Sequence, residues 1–557
     1  MGEQVPVLIV GAGPSGLALA NVLAVFGVGC RIVDKKSGPA SQSRAGILHV
    51  RTLELLDRLD IAKRAVARGV KINRVEFGQR GKSTTLRLVG KGAEGLTPFP
   101  YALGLEQHRT EELLIEKLAE HGLAVEWDTE LTALIDGPGG ARAAVTRPTG
   151  TDEIIVARWV VGADGSHSAV RRSLGLGFHG KTYHQTGLLA DVDLELPSTA
   201  SIGPGAVRLN LTRGGFVGMF RFASGRWRLF GAVPPELAAQ DIGSEISHEA
   251  YAQVGLGDLQ RWFDEYFQVE AQLKRAEWAA LYRVHSRLSE HFRVGNVFLV
   301  GDSAHIHSPA GGQGMNLGIG DGVNLGWKLA MVATGRAHAQ LLDSYHRERY
   351  PAARKVLRGA DRGFTLEATR NRAIAWARAN LAPVLVGPLV RTRRVQVFVF
   401  SLFSQTWISY RDSPTVNGHG PGAGPQPGDR APHCSFTNHC DRNPRGILDL
   451  TRGLRHDLLL FEGPVRLLKM DTIRQKVEEV LGGFALDTAI YLIPSTERDL
   501  HRCYGATRPC VFLLRPDGHV SYSGPLDDFD SLAAHLDLLY YRAQGGRGPE
   551  GDETRST

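Results

Sequence analysis

Two glycine-rich signatures, far apart in the chain, limit most strongly what it can fold into. They are Gly11-Ala12-Gly13-Pro14-Ser15-Gly16 near the start, and Val300-Gly301-Asp302-Ser303 running into Gly311-Gly312-Gln313-Gly314-Met315-Asn316. The first follows the apolar run Val5 to Val10, which predicts a buried strand, and precedes Leu17 to Phe26, which predicts a helix. Gly11 permits the tight strand-to-helix turn, Gly13 lets backbone N–H groups approach a pyrophosphate, and Gly16 lets helix and strand pack closely. Ser15 lies in the same turn, and the positive end of the helix faces the phosphates. A second strand, Gly29 to Val33, ends in Asp34 with Lys35 beside it, where a carboxylate that hydrogen-bonds a ribose hydroxyl is expected. Fingerprint, flanking pattern and acid together predict a Rossmann-like dinucleotide site.

At 557 residues the chain exceeds a single core and predicts three or four domains. Its 43% hydrophobic and 22% charged residues are those of an ordinary globular protein. The apolar start lacks a basic n-region and is interrupted by glycines, so it belongs to the fold and not to a signal peptide. The stretch Leu381 to Phe403 is cut by Arg391, Arg393 and Arg394 before it reaches the length of a membrane span. No span is expected, and that stretch suits an interfacial or dimer-contact helix. The chain could work alone or as a homodimer. Five cysteines, odd in number and without C-x-x-C spacing, argue against a disulfide scaffold or a zinc site and suit a reducing cytoplasm. The net charge of +7 is dilute and its densest basic run is short, which excludes a nucleic-acid patch but suits an anionic cofactor or substrate.

Periodicity orders the rest. Helical segments at Thr52 to Arg68 and Thr110 to His121 flank a strand near Val75, and strands follow at Val125 to Trp127, Ala143 to Arg147 and Ile154 to Val161. The last runs into Gly162-Ala163-Asp164-Gly165, a second strand-end turn. Alternating patterns at Leu188 to Leu196, Val207 to Leu211, Phe216 to Phe222 and Trp227 to Val233 predict antiparallel sheet. A buried strand, Val297 to Val300, and a helix from Gly314 then re-enter the first sheet. The fold class is therefore α/β: a Rossmann-like domain (1–180 and 283–410, with following helices) interrupted by an antiparallel-sheet substrate domain (181–282). A Gly- and Pro-rich linker (411–432) leads to a domain at 433–545 whose β-α-β then β-β-α order is that of a thioredoxin-like fold. Pro509 stands where that fold places a cis-proline, no dithiol chemistry is available without C-x-x-C, and residues 546–557 are expected to be disordered.

Here the residues resemble a family, the single-component FAD-dependent aromatic hydroxylases of the para-hydroxybenzoate and phenol hydroxylase group. The resemblance covers nearly the whole chain. It rests on Gly11-x-Gly13-x-x-Gly16, on Asp164-Gly165-x-x-Ser168-x-x-Arg171, and on Gly301-Asp302 with Pro309 and Gly312-Gln313-Gly314-Met315-Asn316. The C-terminal domain looks like that of the phenol and polyketide hydroxylase branch. The resemblance implies that Asp34 meets the adenosine ribose, that Arg44 and Gln107 approach the pyrophosphate, and that Asp302 binds the ribityl chain. It also implies that Gly314, Met315 and Asn316 present backbone N–H groups to the flavin N1–C2=O edge. Asp164 matches the motif associated with both FAD and NAD(P)H.

The implied reaction uses NAD(P)H, with NADPH preferred over NADH, to reduce the flavin. O2 then forms a C4a-hydroperoxide that hydroxylates a small phenolic or polycyclic, polyketide-type aromatic substrate. The cofactor carries the chemistry, so the catalytic residue is left open. His49 is the one candidate base, weighed against a buried structural histidine. The phenol hydroxylase branch has a carboxylate where this chain has Gly46. Asn210, Met219, Phe220 and Trp227 lie on the predicted substrate sheet, but alternation does not say which of them face a ring. His305-x-His307 lacks a third ligand, so no metal is expected. Two alternatives stand beside the hydroxylase: a Baeyer–Villiger oxygenase on the same scaffold, and a flavin-binding module without turnover.

Overall fold

The computed structural model describes residues 4–543 apart from 41–42, 44, 80–81, 88–94, 198–201, 204, 213–215, 234–253, 268, 308–311, 368–399, 401–403, 437–445 and 466–468. Arg44, Pro309, most of 381–403 and the 546–557 tail lie outside the described residues. The chain divides into two compact units. One comprises Met1–Ala24, Gly29–Val323 and Arg349–Trp407, and the other Val25–Val28, Asn324–Glu348 and Ile408–Thr557.

The first unit opens with strand β1 (Val5–Val10), helix α1 (Pro14–Val25) and strand β2 (Cys30–Val33), and continues to a long strand, β3 (Asp152–Gly162). β1 reads as an unbroken apolar run because it is central: Val7 pairs with Cys30 on one side and Trp159 on the other, both in parallel. The chain then leaves this sheet for β4 (Phe178–Glu195), β5 (Ala206–Leu211), β6 (Phe216–Arg221), β7 (Trp227–Ala232), helix α2 (Leu256–Phe267) and β8 (Gln272–Ser289). It returns as β9 (Val297–Leu299), which joins β3 in parallel. The order β9-β3-β1-β2 brings four parallel strands to one edge, so their C-terminal turns line up although they come from distant parts of the sequence.

The second sheet runs in the order β8-β4-β7-β6-β5. One face carries Leu188, Ala190, Val192, Met219, Trp227 and Leu229, and α2 covers it with Leu259, Trp262, Phe263 and Phe267, spaced as one helical stripe. The opposite face carries Phe220 and Phe222, packed with Ile72, Val207, Ile47 and Phe230. The strand near Val75, read from sequence as part of the first half, joins this second sheet: Arg74–Gln79 runs parallel to β5, with Val75 opposite Val207.

Helix α3 (Gly314–Ala333) and helix α4 (Asp343–Glu367) follow β9. Among the described residues no helix is long and apolar enough to cross a membrane.

The second unit contains β10 (His456–Phe461), α5 (Met470–Gly482), β11 (Thr488–Ile493), α6 (Arg498–Cys503), β12 (Cys510–Leu514), β13 (Val520–Pro525) and α7 (Phe529–Leu539). β10 is parallel to β11 and antiparallel to β12, which pairs with β13, a thioredoxin-like arrangement. The segment 411–432, which reads as a linker, is packed onto this sheet: Asn417–Gly418 adds an edge strand along Tyr522 and Ser523, and Arg430 bridges to His519. The peptide bond before Pro509 is trans, which corrects the cis expectation. Cys434 and Cys503 are joined as a disulfide across 69 residues, a pairing that sequence spacing did not suggest.

Two histidines in this unit make its stability depend on pH. His456 shares a hydrogen bond with the Tyr540 hydroxyl at 2.8 Å, and burial, then the Arg515 charge, push its pKa down to about 3. Burial likewise pushes His535 down to about 4. An unfolded histidine side chain takes a proton at about pH 6.5. Below that pH the unfolded chain binds protons that the folded one refuses, so stability is complete above it and falls as the solution is acidified. At pH 5 the expected loss is ~2 kcal/mol per histidine. The denaturation midpoint of this unit should therefore drop between pH 7 and pH 5, and His456→Gln should flatten the slope. An unchanged slope in both His456→Gln and His535→Gln would remove these residues as the cause.

Candidate functional site

The glycine turn closes β1 onto α1 as its sequence requires. Gly11 has φ +109°, and a side chain on it would strike the Ala163 carbonyl. A side chain on Gly16 would strike the Gly11 carbonyl. At Gly13 a Cβ would meet nothing within 4 Å, so this part of the turn faces open space. Asp34 is 6% exposed, with Oδ2 accepting from the Ala12 N–H at 2.7 Å and Oδ1 from the Lys36 N–H at 2.9 Å. Its carboxylate thus stands against the glycine turn. Lys35 is exposed.

The second signature lands on the first. The Ser15 side chain occupies the notch left by Gly301 and Gly318, and Gly322 comes against the Ser15 carbonyl, where a Cβ would lie 2.5 Å from that oxygen. Small residues one turn apart on α3 let it approach α1, and Gly301, with φ +61°, turns the loop after β9. Asp302 is exposed between buried Gly301 and Ser303, while Ser303 Oγ donates to the Gly162 carbonyl at 2.6 Å. Arg171 fastens the same two loops: it donates to the carbonyls of Ser303 at 2.8 Å and Ser166 at 2.7 Å and stacks over Phe178.

Behind the Gly301 turn lies a network that sequence reading did not find. Asp321, fully buried on α3, accepts from the Gly301 N–H at 3.0 Å and from Arg349 Nε at 2.6 Å, and its Oδ2 lies 2.7 Å from His305 Nε2. Burial alone would raise this carboxyl, but Arg349 and then His305 hold it below the usual range. The one sign in the sequence is a single acid in a largely apolar helix. This contact also accounts for His305 of the His-x-His pair.

Ser43 and residues 45–49 are held by side chains. Gln107 N–H donates to Ser43 Oγ at 2.7 Å and to the Ala45 carbonyl at 3.0 Å, its Oε1 accepts from the Ala45 N–H, and its Nε2 donates to Glu111. Asn316 Oδ1 accepts from the His49 N–H at 2.7 Å, and its Nδ2 donates to the carbonyls of Ile47 and Gly312. The His49 ring is 2% exposed and lies 3.1 Å from the Gly312 carbonyl, so it braces the loop before α3. Within α3 the first described bond back along the chain runs from the Leu317 N–H to the Gln313 carbonyl, and the amides of Gly314, Met315 and Asn316 form the positive end of the helix. Asp164 Oδ2 accepts from the Val170 N–H, while its solvent-shielded Oδ1 has no partner, and burial raises its pKa. An open glycine cradle, the N-terminal end of α3 and, among the described residues, an unpartnered Asp164 oxygen fit a dinucleotide such as FAD.

Of the four expected substrate residues, Met219 and Trp227 pack beneath α2, and Asn210 Nδ2 donates to the Tyr266 and Phe267 carbonyls at the end of that helix. Phe220 alone is on the opposite face, toward Ile47. That face holds a group the sequence did not single out. Arg228, 2% exposed, grips Asp191 through Nε at 2.5 Å and Nη2 at 3.0 Å and reaches the Ser43 carbonyl at 2.7 Å. Trp278 Nε1 also donates to Asp191. A side chain at Gly46 would come within 3.3 Å of Arg228 Nη1 and 2.8 Å of Phe222. An aromatic ring and a guanidinium therefore fill the space beside Gly46, the position at which the resemblance implied a carboxylate in the phenol hydroxylase branch.

Residues 4–360 match the FAD binding domain family. The chain is 34% identical to 6-methylpretetramide 4-monooxygenase of Streptomyces rimosus over 96% of its length and 93% of that protein. It is 31% identical to pentachlorophenol 4-monooxygenase of Sphingobium chlorophenolicum, covering 96% of this chain and 97% of that one. Among solved structures it is similar to aklavinone-11 hydroxylase in complex with FAD and aklavinone, with a TM-score of 0.73, 25% identity, and coverage of 97% and 99% of the two chains.

Proposed function

The chain belongs to the FAD binding domain family, and from that membership we propose that it is a monooxygenase that uses FAD, NAD(P)H and O2 to hydroxylate a phenolic or polycyclic aromatic ring. The observation that carries the reading is the meeting of both glycine signatures at one sheet edge, in a chain whose full-length relatives include monooxygenases of a polyketide and of a chlorinated phenol. When bound, FAD supplies the redox chemistry: it accepts hydride from the nicotinamide and activates O2 for transfer of one oxygen atom.

The chain's own residues bind, orient and charge the site. Gly11, Gly13, Ser15 and Gly16 would receive the pyrophosphate, Asp34 the adenosine ribose, and Asp302 the ribityl chain. Gly314, Met315 and Asn316 would offer backbone donors at the helix end, where negative charge is favoured by ~0.3–2 kcal/mol. Arg228 would favour the anionic form of a phenolic substrate near Gly46, a task that a carboxylate at that position would perform by taking the proton. The aromatic face of Phe220, Phe222 and Phe230 suits a flat apolar ring and keeps water from it. NADPH is the preferred reductant, and a cytoplasmic location fits its supply.

The test is the absorbance spectrum of the purified holoprotein, followed by stopped-flow reduction with NADPH and with NADH, with and without simple phenols and polycyclic aromatics. Flavin reduction that accelerates when a ring is added, with a hydroxylated product, is the expected result. Reduction equally fast without substrate, or absent with both nucleotides, overturns it. Asp302→Ala should purify as apoprotein because the ribityl contact is lost, and full FAD occupancy in that variant would refute the cofactor placement.

A further inference from the structure

We propose that Cys434 and Cys503 form a redox modification site that staples the second unit on oxidation. Both cysteines belong to the second unit. Their Cα atoms are 6.4 Å apart, inside the window of roughly 4.4–6.8 Å that a disulfide spans without backbone movement. Cys434 is 7% exposed and sits where the Gly- and Pro-rich segment ends, with φ +32°. Its carbonyl accepts from the Ile447 N–H at 3.3 Å. Cys503 is the last residue of α6 and is half-buried, which leaves an oxidant a way in. The two stretches are already held in register next to the cysteines, because the Tyr504 hydroxyl donates to the Pro432 carbonyl at 3.0 Å.

The other described cysteines do not compete. Cys30 opens β2 in the first unit and Cys510 opens β12, and burial pushes each thiol up to about 12, so both stay protonated at neutral pH. The thiolate is the form that reacts, so oxidation of these two is disfavoured.

The chemistry balances with a hydroperoxide as oxidant. One sulfur attacks hydrogen peroxide as the thiolate, breaking the O–O bond and giving a sulfenic acid and water. The second sulfur then displaces hydroxide, so that overall two thiols and one H2O2 become a disulfide and two waters. Two electrons pass from the sulfurs to the peroxide oxygens. The bond encloses β10, α5, β11 and α6 in one loop. Closing a loop of that length restricts the unfolded chain far more than the folded one, so oxidation raises the stability of the unit. Reduction by a small thiol returns the looser form, in which the 417–436 segment is held by hydrogen bonds and by the packing of Ala431, Cys434 and Phe436.

The experiment uses the full-length holoprotein, first reduced with dithiothreitol, then desalted and treated with hydrogen peroxide. Free thiols are blocked before proteolysis and mass spectrometry under non-reducing conditions, and melting temperature is read in parallel. The expected result is a peptide pair linked through Cys434 and Cys503 only after peroxide, with a melting temperature of the second unit raised by about 5–10 °C. The shift should vanish in Cys434→Ser and in Cys503→Ser. Blocked thiols or sulfinic acid at these positions with no linked peptide would overturn the proposal. So would a linked peptide with an unmoved melting temperature, or a peroxide shift that persists in both variants.

Discussion

Arg515→Met is expected to destabilise the second unit by ~3–5 kcal/mol, because it removes one partner from a fully buried charge cluster. Arg515 donates to Glu348 at 2.7 and 3.0 Å, to Asp517 through Nε at 3.1 Å, and to Thr415. Lys328 adds a second cation, donating to Glu348 at 2.8 Å and to Asn324 at 3.0 Å. Ser413 and Thr415 complete the set of donors to Glu348 Oε1. Arg515 and Lys328 thus balance the charges of Glu348 and Asp517, and His519 Nδ1 lies 3.3 Å from Asp517. Burial would raise Glu348, but Arg515 and then Lys328 hold it well below the usual carboxylate range. With Arg515 gone, Glu348 and Asp517 share one ammonium, and the uncompensated charge is the source of the cost. Its sign is checkable with a second variant: Arg515→Met combined with Asp517→Leu restores the balance and should be more stable than Arg515→Met alone. The readout is guanidinium unfolding followed by tryptophan fluorescence, with the Trp327 ring 5.3 Å from the guanidinium carbon as a local reporter. A single-variant loss below ~1 kcal/mol, or a double variant as unstable as the sum of its parts, would assign the effect to packing instead.

What the sequence disclosed depends on whether a property is local. β1, β2, β9 and the start of α3 were legible because each is a short apolar run ended by glycine or an acid, and that pattern needs no partner to be read. Helix α2 was missed although Leu259, Trp262, Phe263 and Phe267 carry its stripe, because the residues before it gave no periodic lead. β8 was missed because its exposed Lys274, Arg275 and Glu277 and its register shifts against β4 break the alternation. The 411–432 segment has no period at all, yet it is packed, since the edge of β13 satisfies its backbone. At the site, the glycines announce themselves by spacing. Asp321, Arg228 and the side-chain work of Asn316 do not, because their partners lie in distant stretches: His305 and Arg349, Asp191 and Ser43, Ile47 and Gly312. Alternation named two faces of the second sheet but not which one meets 43–49, and for that reason Met219 and Trp227 were candidates where Arg228 and Phe222 border the site.

Arg228→Met should lower kcat on a phenolic substrate by ~10²-fold, the size expected when one preorganised charged donor is removed from a water-poor site. The guanidinium is fixed by its two bonds to Asp191 and one to Ser43, so it meets developing negative charge near Gly46 without reorganising. An adjacent cation favours a phenolate over a phenol, so the variant's activity should require higher pH, with its acid limb moved up by about 1–2 units. Arg228→Lys keeps the charge but not the forked grip on Asp191, and should recover part of kcat and most of the pH profile. A purely structural role predicts something different: Asp191 left buried without its cation would loosen β4 and β7, and FAD occupancy and stability would fall together with activity. The measurement that separates the two is the pH dependence of kcat in Arg228→Met, corrected for bound flavin. An unshifted profile with a loss proportional to missing FAD would reduce Arg228 to a brace between the second sheet and the 43–46 segment. A shifted profile at full occupancy would make it the group that takes the place of the absent carboxylate.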